Sequence, residues 1–142
     1  MPEEEEQVAE EGPVDAGGEG EEAGAGAGVA NMKPGFYMLH VLVETAKNVY
    51  LDGETTVDPL IKVKILGNSK STSTKNGITK TTPIKWDEHL FIEVGEQTQK
   101  EIETALIEIE ILNKGFFKSD LIGYFPLSTV TIYNLKDHLI HN

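Results

Sequence analysis

Four segments of the chain alternate apolar and polar residues closely enough to leave one regular structure open to them. Leu39, Val41 and Val43 are interleaved with His40, Leu42 and Glu44; Ile61, Val63 and Ile65 with Lys62 and Lys64; Leu90, Ile92 and Val94 with Phe91 and Glu93; Ala105, Ile107, Ile109 and Ile111 with Glu108 and Glu110. A period of two belongs to a pleated strand, whose successive side chains point to opposite faces, whereas a helix would scatter the same residues around its circumference. Each strand then has one apolar face, and that face is buried by packing two sheets together. The expected architecture is an all-β antiparallel sandwich. A further strand is expected over Leu121–Leu127, and one or two edge strands in the threonine-rich stretch Ser71–Thr82, with Asn76-Gly77 as a hairpin turn. Helical turns are expected within Glu96–Glu103 and Thr129–Leu139.

The net charge of −12 is unevenly placed. Ten of the 24 acids lie in residues 1–30 with no base, which leaves 14 acids against 12 lysines in the remainder. The acidic, Gly/Ala-rich start has no aromatic residue and too little apolar surface to offset the entropy of ordering it, so it is expected to be disordered. Pro34-Gly35 ends the linker that follows. The expected organisation is a tail and linker over 1–35 and one folded domain over 36–142, enough chain for a single core.

Several function classes fall away. The acidic balance and the absence of arginine argue against nucleic acid, which is held by basic faces and bidentate guanidinium groups. With no cysteine there is neither a disulfide framework nor a thiolate metal site. His40, His89, His138 and His141 lack zinc-type spacing, and no nucleophile elbow, phosphate loop or paired acid and base accompanies the serines and histidines. The chain is not expected to be an enzyme. The acid-rich start is unlike a signal peptide, and no apolar run approaches the ~18 residues that span a bilayer.

The order of motifs resembles a C2 domain. The first strand leads into Thr45-Ala46-Lys47-Asn48-Val49. Asp52-Gly53-Glu54-Thr55-Thr56-Val57-Asp58-Pro59 is similar to the family's first calcium loop, with Pro after its second aspartate and a strand at once beyond. Pro83-Ile84-Lys85-Trp86-Asp87-Glu88 looks like the Pro-x-Trp-Asn-Glu motif stretched by one residue, and Ser119-Asp120-Leu121-Ile122-Gly123 resembles the close of the third loop. Ile111-Leu112-Asn113-Lys114, Phe125-Pro126-Leu127 and Thr131-Ile132-Tyr133 are similar to ferlin domains in particular. The resemblance implies a sandwich of about seven or eight strands, the last of them missing before Asn142. It also implies a cytoplasmic, peripheral membrane domain of a vesicle-fusion or membrane-trafficking protein, whose anchor would lie beyond residue 142.

The resemblance further implies candidate sites. Asp52, Asp58 and Asp120 match calcium ligands, but the two other ligand positions fall on Leu112 and Lys114. Calcium wants six to eight oxygens, and three carboxylates beside an ammonium make a poor cage. The favoured reading is aspartates that cap loop turns, with one weakly held calcium ion as the alternative. Phe116 and Phe117 are adjacent between Lys114 and Lys118, so at least one of them should be exposed. With Tyr50 and Leu51 of the first loop they form a candidate tip for an anionic phospholipid membrane, the alternative being that one Phe packs beneath its loop. Lys62, Lys64 and Lys80 are candidates for a head-group face, or for a solvated sheet exterior. Two other functions stay open: a calcium-independent protein-interaction scaffold, and a targeting domain of a larger signalling enzyme.

Overall fold

The computed structural model describes residues 31–135. The expectations for the tail over 1–30, for Lys136–Leu139 and for His138 and His141 lie outside the described residues. In chain order the elements are β1 (Gly35–Ala46), β2 (Pro59–Ile65), β3 (Asn68–Ser71), β4 (Ile84–Gln97), α1 (Gln99–Thr104), β5 (Leu106–Asn113), β6 (Asp120–Ser128) and α2 (Thr129–Tyr133). All strand pairs are antiparallel. They form a four-stranded sheet in the order β3-β2-β5-β6 and a two-stranded sheet of β1 and β4.

The alternation places the core. Ile61, Val63 and Ile65 of β2 are buried while Lys62 and Lys64 between them are half-buried on the outer face. On β4, Ile84, Trp86, Leu90, Ile92 and Val94 point inward. These side chains meet Val43, Val57, Ile107 and Leu127 in one cluster, and each aliphatic side chain so buried contributes about 1.5–3 kcal/mol. Trp86 anchors more than the core, because its indole N–H donates to the carbonyl of Ser73 at 2.9 Å.

The threonine-rich stretch differs from expectation. The edge strand sits earlier, at Asn68–Ser71, and its hairpin turn is Leu66-Gly67, with φ of 44° and 77°. Positive φ at both central residues is the turn that matches strand twist. Beyond Ser71 the chain runs as a loop, held to β2 by the Thr72 and Lys75 N–H groups, which donate to the Ile61 and Pro59 carbonyls at 2.9 Å, and to the chain before β2 by the isolated Val57–Ile78 bridge. Specific side-chain bonds win over strand propensity here. The Ile61 N–H donates to Thr72 Oγ1 at 3.0 Å, and the Glu88 carboxylate accepts from both the N–H and the hydroxyl of Ser73.

Both helical expectations have counterparts. Thr98 caps α1 in a reciprocal box with Glu101, whose carboxylate accepts the Thr98 N–H at 2.9 Å. That contact holds the Glu101 carboxyl below its ordinary value. The hydroxyl of buried Thr129 donates to the Ile102 carbonyl, tying α2 to α1.

Candidate functional site

Register decides where the loops gather. Pro59, at the start of β2, pairs with Asn113, at the end of β5, so the loops 47–58 and 114–119 leave the same end of the sandwich. The Lys114 N–H donates to the Asp58 carbonyl at 2.9 Å, and the Asp58 N–H to Asn113 Oδ1 at 2.8 Å. The Gly77 N–H donates to Asp58 Oδ1 at 2.7 Å, and Val57 and Ile78 exchange both backbone bonds, which fastens a third loop to the same point. Asp58 is the hub of this end.

Loop 114–119 carries the most exposed aromatic residues of the described chain. Phe116 is 94% and Phe117 95% exposed, and their rings meet edge to face at 4.7 Å. The alternative in which one Phe packs beneath the loop is not what the structure has. Gly115 explains the projection: a Cβ there would lie 2.1 Å from the Lys118 carbonyl oxygen. The turn therefore closes only on glycine, and it leaves Lys114 and Lys118 exposed on either side of the pair. Lys118 Nζ lies 4.0 Å from Asp120 Oδ1, a long contact between exposed groups that leaves the ammonium available. The structural role of Gly115 was not singled out from the sequence, although a glycine inside Lys-Gly-Phe-Phe-Lys is a turn signal.

The first loop contributes unequally. Tyr50 is 41% exposed, with Lys80 Nζ 4.0 Å above its ring, a cation–π contact. Leu51 is half-buried against the core and does not project beside Phe116. Lys80 thus stands against loop one. Lys62 and Lys64 sit on the sheet face, where β5 meets them with acids: Lys62 is opposite Glu110 and Lys64 opposite Glu108. Lys64 Nζ lies 2.7 Å from Glu110 Oε1, and that hydrogen bond raises the lysine above its ordinary value. Lys62 and Lys64 thus lie against the acids of β5, while Lys80 lies over the Tyr50 ring.

The three aspartates do not assemble a cation cage. One Asp58 oxygen is taken by Gly77, Asn113 Oδ1 is taken by Asp58, and Asp120 has Lys118 beside it. Among the described residues no three His, Cys, Asp or Glu side chains come together as a metal ion requires. The donors as arranged do not fit calcium, which needs six to eight oxygens. No helix among the described residues is long and apolar enough to cross a membrane.

Comparison with known proteins agrees with this architecture. The chain is similar to a RIM C2 domain from Drosophila, with 17% identity over 68% of this chain and 81% of that one and a TM-score of 0.52. It is similar to a C2 domain of plant extended synaptotagmin 1, with 22% identity over 68% and 71% of the two chains and a TM-score of 0.50. A human GIVD cytosolic phospholipase A2 matches at 17% identity and a TM-score of 0.52, over 73% of this chain but 14% of that one. At such identities the likeness is one of fold. No curated protein matches the chain. The family model described as C2 domain matches residues 37–140, most of the chain, and with the sandwich and its gathered loops this shows that the chain belongs to the C2 domain family.

Proposed function

We propose that this C2 domain is a non-enzymatic module that docks peripherally on anionic phospholipid membranes through loop 114–118, with weak or no calcium dependence. The observation that carries this reading is the pair Phe116 and Phe117, 94% and 95% exposed on a glycine-closed turn between two lysines. Insertion of an aromatic side chain into the acyl boundary is worth about 1.5–3 kcal/mol when it is fully buried, and a lysine near anionic lipid about 1 kcal/mol. The lysines bring the turn to the surface and the rings hold it there. Tyr50 on the first loop, with Lys80 of the loop between β3 and β4 laid over its ring, supplies a second aromatic and cationic contact. Docking by this route does not require calcium, because Lys114 and Lys118 already provide positive charge of the kind a bound ion would bring.

Residues 36–142 are proposed as the docking unit and 1–35 as an acidic appendage to it. Asn113 at the entry to the third loop, with the Phe125-Pro126-Leu127 and Thr131-Ile132-Tyr133 stretches, supports placement in a ferlin-like vesicle-fusion or membrane-trafficking protein. The test of docking is co-sedimentation with phosphatidylserine/phosphatidylcholine vesicles in calcium and in chelator. Equal binding in both, lost in Phe116→Ala/Phe117→Ala, is the expected result. Binding seen only with calcium, or retained by the double variant, overturns it.

A further inference from the structure

The outward side of the β1/β4 sheet carries an exposed apolar stripe among polar residues. Phe36 is 81% exposed, Met38 59%, Leu42 44% and Phe91 47%. Single exposed apolar residues are ordinary, but Phe36, Met38 and Leu42 on β1, with Phe91 of β4 paired to the intervening His40, cluster on one face, and such a cluster marks an interaction surface. The centre of this stripe is ordered by rings. His40 Nε2 and His89 Nδ1 share a hydrogen bond of 2.7 Å, and Phe91 stacks on His40 with centroids 4.4 Å apart. That bond occupies one nitrogen of each imidazole, so the middle of the face presents mainly ring surface.

The stripe has an acidic flank on one side. Phe36 is paired with Glu96 and Met38 with Glu93, so β1 supplies the apolar residue and β4 the carboxylate in both rows. Glu93 and Glu96 are exposed, and among the described residues neither has an ion-pair partner. An anionic membrane is repelled by such a flank, and a basic partner is attracted to it. The dimensions narrow the partner further. Two strands are about 10 Å wide, the diameter of one helix, and Phe36 to Leu42 spans about 20 Å, the length of a helix of about fourteen residues.

We propose that the outward face of the β1/β4 sheet docks a basic amphipathic helix of a partner protein, with the apolar stripe of that helix over Phe36, Met38, Leu42 and Phe91 and its lysines or arginines over Glu93 and Glu96. This surface is separate from loop 114–118, so one domain can hold a membrane with its loop end and a protein with its sheet face.

The test uses the full 142-residue chain and two labelled fourteen-residue peptides, an amphipathic Leu/Lys helix and its Leu/Glu counterpart, with binding followed by fluorescence anisotropy. The Leu/Lys peptide should bind saturably and the Leu/Glu peptide should not. Phe36→Ser/Phe91→Ser should weaken Leu/Lys binding by about tenfold or more. Glu93→Lys/Glu96→Lys, which changes only exposed side chains and so keeps the test free of folding effects, should weaken Leu/Lys binding and admit Leu/Glu. Unchanged Leu/Lys binding in both variants would show that the acidic residues 1–30 are the contact, and the proposal fails. It fails equally if the wild-type chain self-associates through this face and Phe36→Ser/Phe91→Ser abolishes that, which makes a second copy the occupant, or if the same variant loses vesicle binding, which makes a membrane the occupant.

Discussion

The amide of Lys114 is bonded to the carbonyl of Asp58 across 2.9 Å, so the loop that carries the two exposed phenylalanines is fastened to the loop that carries the first two family aspartates. Asn113, one residue earlier, completes the link by accepting the Asp58 N–H at 2.8 Å. The Asn113 side chain acts as a strut between the end of β5 and the first loop.

Replacing Asn113 by Ala leaves the part-buried Asp58 N–H without its acceptor. The cost should be about 1–3 kcal/mol of stability. Urea denaturation should show the midpoint fall with an unchanged slope, and vesicle partitioning should weaken because loop 114–118 loses its support.

Phe116→Ala/Phe117→Ala should separate docking from folding. Loss of both rings removes about 2–4 kcal/mol of insertion free energy, a thirty-fold or greater fall in vesicle partitioning. The melting temperature should barely move, since neither ring is in the core. A large drop in melting temperature with partitioning unchanged would show the pair to be packing residues.

Calcium titration by calorimetry should find no tight site, with any affinity at ~10⁻⁴ M or weaker. Two tight sites would show that the loops rearrange around the metal and that Asp58 exchanges Gly77 for an ion.

Glu88 predicts an acid response. Its carboxylate accepts from the hydroxyl and then the N–H of Ser73, and these bonds hold it below its ordinary value of 4.5. A depressed carboxyl contributes stability above its unfolded value and loses it as pH falls through the folded value. Wild type should therefore lose more stability than Glu88→Gln when acidified below pH 4.5. Parallel thermal melts across that range check this, and identical acid slopes would refute it.

Deleting residues 1–30 should leave the melting temperature nearly unchanged, because a segment without aromatic residues offers a sandwich little to pack against. Stronger binding of the truncated chain to anionic vesicles would show that the acids cover the lysines of the docking loop.

The period-two segments determined by themselves that β1, β2, β4 and β5 exist and which of their faces turn inward, because side-chain direction along a strand is a local property. Adjacency alone likewise required at least one of Phe116 and Phe117 to be exposed, and the Gly115 turn exposes both. Tertiary structure decided what depends on partners far away in the chain. Strand propensity in Ser71–Thr82 was overridden by bonds to Ile61, Glu88 and Trp86, none of which lies within that stretch. Lys64 looks like a free cation until the register of β2 and β5 sets Glu110 against it at 2.7 Å. Nothing local to Lys80 shows that the fold lays it over Tyr50. Nor does anything local to His40 reveal that a histidine 49 residues later shares its hydrogen bond. Periodicity specifies a strand and its inner face; only closure of the sheets sets which outer residues meet, and charge pairing and site geometry follow from that meeting.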